Sequence, residues 1–309
     1  MQSFFAKPGI GLDLSSRAVR VGTVRRSGGT LIPVATRSLP LEAGVIDENY
    51  AAPGVKDRDG LAAVLRRALQ EDAVFPGRRI ALSLPDGLFR VQLFDFDDLP
   101  PRNRDRERLI RWRFEKSAAF DTADTVLRYQ VLPRAGRGLS VLAGIAKQAV
   151  IASYEDLLAG LGYDVWLVGL SSFHALNFYD AVLAAPSAGH TALVWITEGS
   201  YTTIITDRGV PRFYRYREIK TNAAGEAAVR ITREIEDALH FYTHRDPQQA
   251  LEIPRLCCAG DSPLLAPLTE GLRNSTSLAV ELLTPASVTG PGGEGTDAFA
   301  AAFGAGVAV

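Results

Sequence analysis

The chain has 309 residues, 47% of them hydrophobic and 22% charged, with 34 Lys and Arg balanced by 35 Asp and Glu. That length suits about two domains of ordinary size with sizeable cores, and the balance excludes the basic excess of a nucleic-acid binder. The two cysteines, Cys257 and Cys258, are neighbours in an apolar run, which excludes a disulfide framework and reads as buried thiols in a reducing compartment.

The start lacks the basic n-region and long apolar h-region of a signal peptide. Gly9 to Leu14 reads as a strand, Ser15–Ser16 as a tight polar turn, and Arg17 to Val24 as its hairpin partner. A third strand is predicted near Gly29 to Ala35, followed by a Pro- and Gly-rich loop from Leu39 to Val55. Leu61, Val64, Leu65, Ala68 and Leu69 share one face of a helix opened by Asp57 to Gly60. Arg79 to Pro85 is the next strand. Phe89 to Phe96 is read as its hairpin partner, with Asp86–Gly87 at the turn.

Pro101 to Lys116 is predicted helical. Its six arginines are balanced in part by Asp105, Glu107 and Glu115 and read as a solvated face. Strands follow at 126–132 and 140–146, then a helix at 147–161, a buried strand at 165–168 and a helix at 171–183. Ala185 to Gly189 reads as a linker. The pattern then restarts with strands at 192–196, 201–206 and 211–216 and a long helix from about Ala223 to His244. A strand at 254–258, a helix at 264–273 and a strand at 279–283 complete it. A Gly/Pro loop from Thr289 to Gly295 precedes an apolar end, 298–309, too short to span a membrane and read as a buried terminal helix. No apolar run elsewhere is long enough for a span. Direct insertion into a membrane is therefore not expected, and any membrane association is expected to come through a partner.

Each half begins with a strand, a small-residue turn and a hairpin, so the chain reads as a duplicated α/β unit with an insertion in the first copy. The expected division is 1–187 and 188–309, with the insertion at about 79–146 and the last helix, about 296–309, packing back on the first half. A hairpin turn of small residues at a cleft can bind phosphate through backbone N–H groups, and a nearby Asp can hold magnesium through water. The candidate here is Asp13-Leu14-Ser15-Ser16.

Gly11 to Ser16 with Val19 and Arg20 resembles the first phosphate motif of the PilM family of type IV pilus assembly proteins. Further resemblance lies in Ala81 to Pro85, in Leu109 to Lys116 with Phe120, in Tyr129 to Leu132, and in Ala146–Lys147 with the helix beyond. Arg233 to Ile235, Ala238–Leu239 and Phe241–Tyr242 resemble the family's long second-domain helix. The resemblance implies an α/β protein of actin-like fold, two duplicated α/β domains with an FtsA-like inserted α+β subdomain in the first. It implies a cytoplasmic platform, peripheral to the inner membrane, that binds the N-terminal tail of a PilN-like membrane protein and other pilus components in a system for twitching motility. By resemblance, Leu82, Leu84, Trp112, Phe114 and Tyr129 are candidates for the tail groove.

The nucleotide site departs from the family's pattern. Ser15 stands where a Gly is usual, and its Cβ crowds a phosphate. The second phosphate motif, usually Asp-Ile-Gly, is Trp195-Ile196-Thr197. Gly169 to Phe173 has no carboxylate, and the adenosine motif is reduced to Cys257 to Ser262 with one Gly. Hydrolysis needs a metal and a positioned water, and only Asp13 is an obvious metal ligand. The residues a nucleotide could still use are Asp13, Ser15, Ser16, Arg20, Gly260, Asp261 and Ser262. The expectation is a degenerate cleft with no catalytic residue and no ATP or magnesium, or weak binding at most. The alternatives are an active ATPase of the same family and a GspL-like cytoplasmic domain of type II secretion. A GspL chain is expected to continue into a transmembrane helix; none is expected in this sequence, which favours the pilus family.

Overall fold

The computed structural model describes residues 9–27, 30–51, 53–71, 74–75, 77–118, 122–133, 138–184, 189–220, 224–245, 251–290 and 296–307. The expected linker residues 185–188, the loop 291–295 and Phe120 lie outside the described residues.

The first sheet begins with an antiparallel meander of β1 (Ile10–Leu14), β2 (Ala18–Ser27) and β3 (Thr30–Pro40). Helix α1 (Arg58–Gln70) then returns the chain to β4 (Arg79–Leu84), which runs parallel to β1. The Asp57 side chain starts α1 by accepting the Gly60 N–H at 2.9 Å, which satisfies one of the helix's orphan donors. Strands β1 and β4 are apolar runs with both faces covered, as central strands of an α/β layer must be.

After β4 the chain leaves this sheet. β5 (Phe89–Phe96), α2 (Asn103–Ala118), β6 (Thr125–Leu132) and β7 (Leu139–Lys147) form a separate antiparallel sheet, ordered β5-β7-β6, with α2 against it. Helix α3 (Gln148–Gly160) leads back to β8 (Asp164–Leu170), which completes the first sheet in the order β3-β2-β1-β4-β8. The expected β4–β5 hairpin is therefore corrected. β4 pairs with β1 and β8, and β5 pairs with β7. The insertion begins at Phe89 rather than at Arg79. A 3-10 turn at Asp86–Leu88 carries the chain across. Gly87 is needed there because a Cβ would lie 2.0 Å from the Glu48 carbonyl oxygen.

Helix α4 (Ser171–Leu183) precedes the second sheet of β9 (His190–Ile196), β10 (Ser200–Asp207) and β11 (Val210–Glu218). The long α5 (Ala224–Thr243) follows, then β12 (Arg255–Gly260), α6 (Leu265–Ser275) and β13 (Ala279–Leu282). Its order, β11-β10-β9-β12-β13, repeats the first sheet's topology strand for strand.

A short α7 (Ala286–Thr289) precedes α8 (Ala300–Val307), whose residues 300–306 are all buried. Helix α8 packs on β1, β2, β4 and α4. The approach is backbone to backbone. A Cβ on Gly11 would sit 1.7 Å from the Ala302 carbonyl oxygen, and one on Gly304 would sit 1.7 Å from that of His174. Phe303 meets Phe178 of α4 with ring centroids 5.5 Å apart. This apolar layer, with Trp195 and Leu193 from β9, joins the two sheets into one body. Among the described residues, no helix is long and apolar enough to cross a membrane.

Candidate functional site

The two strand–turn–hairpin units face each other, and the cleft between them is lined from both halves. In the first unit the Ser15 hydroxyl accepts the Ala18 N–H at 3.2 Å, which closes the turn. The Ser16 N–H, the donor a phosphate would take, instead donates to Glu48 Oε1 at 2.6 Å. Arg17 reaches across the mouth to Glu198 of the second turn at 2.7 Å. Both of these side chains are half-exposed, so the pair adds little stability.

Beneath the turn, Asp13 is buried. Its Oδ1 accepts the Ser83 hydroxyl at 2.6 Å, and its Oδ2 lies 3.4 Å from Arg20 Nη1. The other Arg20 nitrogen, Nη2, pairs with Asp261 Oδ2 at 2.5 Å. A single guanidinium thus bridges a carboxylate from each half. Burial pushes the Asp13 carboxyl up to about 6, against the pull of Arg20 and Ser83. Burial also raises Asp261, again opposed by Arg20. The guanidinium occupies the position beside Asp13 where a cation would be sought. Among the described residues, no cluster of three or more His, Cys, Asp or Glu side chains is placed to hold a metal ion.

The second unit presents Trp195 where the family's pattern has Asp. The indole is 4% exposed, lines the cleft, and donates its N–H to Ser171 Oγ at 3.0 Å. Asp86 completes the floor. Its Oδ1 accepts the Ser172 N–H at 3.0 Å, at the N-terminus of α4. Its Oδ2 accepts the hydroxyls of Thr202 at 2.7 Å and Tyr214 at 3.1 Å, from β10 and β11. The α4 terminus favours the negative charge, while burial raises the carboxyl above its usual range. One side chain from the first half thus ties down three donors, two of them from the second sheet.

The structure brings Asp13, Ser15, Arg20 and Asp261 together in the cleft, and does not bring Ser16, Gly260 or Ser262 into its lining. Gly260 sits at φ +147°, and a Cβ there would lie 1.9 Å from the Ile196 carbonyl oxygen, so it lets the ends of β12 and β9 meet. Ser262 Oγ accepts the Leu264 N–H at 3.2 Å ahead of α6. Sequence reasoning missed Glu48, Asp86, Ser171 and Thr202, whose only signal was polarity next to apolar runs.

The space left among these side chains is about 20 Å³, room for about one water molecule. Its walls carry four carboxylates, Asp13, Glu48, Asp86 and Asp261, against one guanidinium. That balance repels a triphosphate. In this arrangement the Ser16 N–H is engaged by Glu48, and the Trp195 indole lies in the second loop.

The residues expected to hold a partner's tail separate sharply. Leu82 and Leu84 are corrected to core, since β4 lies between β1 and β8 and both side chains are 0% exposed. Phe114 is also core, with no exposed surface and a T-shaped contact on Phe94 at 5.1 Å. Trp112, two residues earlier on α2, is 49% exposed. Tyr129 is half-buried on β6, an outer strand of its sheet.

No family model matches this chain, and no curated protein matches it by sequence. Solved structures do match. A chain of the "PilM-PilN type IV pilus biogenesis complex" superposes with TM-score 0.79 at 19% identity, covering 98% of both chains. The ethanolamine utilization protein EutJ from Carboxydothermus hydrogenoformans gives TM-score 0.55 at 10% identity over 98% of this chain and 90% of that one. A protein of unknown function with an actin-like ATPase fold, from Bacteroides thetaiotaomicron, gives 0.53 at 10% identity over 89% and 90%. The chain has the actin-like fold that the sequence resemblance implied.

Proposed function

We propose that this chain is a PilM-like platform protein of a type IV pilus assembly machine. It works in the cytoplasm beside the inner membrane, held there by the N-terminal tail of a PilN-like membrane protein. The observation that carries this reading is the likeness, along 98% of both chains, to a chain of the PilM-PilN complex. The cleft on this reading is a joint rather than an active site. It binds ATP and magnesium weakly or not at all, and partners set the state of the molecule. The Glu48 carboxylate on the Ser16 N–H and the Trp195 indole in the second loop support that part.

The tail site lies by family resemblance between the first domain and the inserted subdomain. Trp112 offers accessible apolar surface on α2, Tyr129 offers part of a ring, and β6, an outer strand, offers an edge to an extended segment. The test is calorimetric titration with a synthetic N-terminal tail of the PilN-like protein from the same genome, with and without ATP and magnesium. Micromolar binding unaffected by nucleotide supports the whole reading. Binding that requires ATP keeps the platform and overturns the closed cleft. No binding under either condition overturns the pilus assignment. A parallel thermal melt separates the nucleotide question, because a ligand at 100 times its Kd stabilises by about 2.7 kcal/mol. The expected shift with ATP and magnesium is zero.

A further inference from the structure

A second concave surface lies away from the cleft, between the inserted subdomain and the second sheet. Its volume is about 720 Å³, and its walls are the outer strands β5 and β11 with the start of α5. β11 is hydrogen-bonded to β10 along one side only, and β5 to β7 along one side only. Each wall therefore has one edge that no neighbouring strand pairs, a template for another strand, and the carbonyls of Phe89, Arg212 and Tyr216 on these strands are held only by the flexible side chains of Arg90, Arg245 and Arg217.

The charge of this groove is not that of the chain. Five cations, Arg90, Arg215, Arg217, Lys220 and Arg230, line it against Glu218 and Glu234, in a protein whose net charge is −1. Both carboxylates are already engaged. Glu218 accepts from Asn49 at 3.4 Å, and Glu234 accepts the Tyr201 hydroxyl and pairs with Arg230 at 3.5 Å. Arg215 and Lys220 have no ion pair or hydrogen bond among the described residues. On β11 the pleat puts Tyr214 and Tyr216 on one face and Arg215 and Arg217 on the other. Tyr214 is committed to Asp86, and the Tyr216 hydroxyl lies against Gly87. The arginine face is shared with Phe213, which packs on α5; towards the end of the strand Arg215 is half-buried and Arg217 is exposed.

We propose that this groove docks an extended acidic segment of a partner protein, added as a strand to the free edge of β11, with carboxylates at alternate positions facing Arg215 and Arg217. Opposite charges directly across a strand pair attract and like charges repel. The two arginines therefore bar a second copy of β11 from the edge while selecting an acidic strand. Because the walls belong to the inserted subdomain and to the second half, an occupant touches both. The inference stands apart from the pilus reading, and either can fail alone.

The test uses the full chain and a fluorescein-labelled octapeptide of alternating Glu and Thr, read by fluorescence anisotropy. Controls are a Lys–Thr octapeptide and a Glu–Pro octapeptide, which keeps the charge but cannot donate at alternate positions. Expected are saturable binding of the Glu–Thr peptide and loss of binding by both controls. The R215E/R217E variant should weaken binding about tenfold or more. R215Q/R217Q, which adds no new charge, should give a smaller loss and guards against misfolding of the reversal. Any one of three results overturns the proposal. These are no binding of the Glu–Thr peptide, equal binding of the Glu–Pro peptide (bulk charge attraction alone), and affinity unchanged in both variants. A concentration-dependent mass of the unliganded chain that R215E/R217E abolishes would assign the edge to a second copy and also overturn it.

Discussion

Replacing Asp86 by Ala should be among the most damaging polar substitutions in this molecule. The side chain is 5% exposed and accepts from the Ser172 N–H, the Thr202 hydroxyl and the Tyr214 hydroxyl. A hydrogen bond to a charged acceptor contributes about 1.5–3 kcal/mol, and a buried donor left unmatched costs about 1–3 kcal/mol. Three such bonds give a gross loss of several kcal/mol. Burial of the carboxylate is itself unfavourable, as its raised pKa records, so removing it returns part of that sum. The net expectation is a destabilisation of about 3–4 kcal/mol. Tyr214→Phe removes one of these bonds and should cost about 1.5–2 kcal/mol. Urea unfolding at pH 7 measures both, and the double variant closes a cycle in which the Tyr214 effect nearly vanishes once Asp86 is gone. A loss under 1 kcal/mol for Asp86→Ala, or strict additivity with Tyr214→Phe, would refute the view of this carboxylate as the tie between the two halves.

Gly304→Ala forces a methyl to within 1.7 Å of the His174 carbonyl. Neither backbone can yield cheaply, so thermal melting should show a loss of about 2–3 kcal/mol. Burial holds the Asp13 proton in the folded state up to about pH 6, from 3.8. Its contribution to stability is therefore complete below about pH 4 and is lost as the pH rises through about 6. Urea midpoints at pH 4.5 and 6.5 should show that fall in the parent and a flatter response in Asp13→Asn; an unchanged slope would count against it. Phe114→Ala should cost about 3–5 kcal/mol of stability, while Trp112→Ala should change stability by less than about 0.5 kcal/mol. The Trp112 variant should still weaken tail binding, which separates surface from core two residues apart on one helix.

The sequence by itself determined most of the elements, because they depend on local periodicity. The helical face of Leu61, Leu65 and Leu69, the alternating strand pairs, and the repeated hairpin that heads each half all appear in the structure. The sequence also singled out Asp13, Ser15, Arg20 and Asp261, which the structure gathers in one cleft. Tertiary structure alone decided how deep each residue lies and which distant groups meet. Asp86–Gly87 after an apolar strand has the local chemistry of a hairpin turn. Yet Gly87 is there because the Glu48 backbone passes against it, and Asp86 because donors from α4, β10 and β11 converge on its carboxylate. The same holds for Glu48, which reaches Ser16 from 32 positions away, and for Leu82, Leu84 and Phe114, whose burial follows from neighbours on both sides. A periodic pattern records which face of an element is apolar. Only the packed chain determines what covers that face and which charges must share a space that water has left.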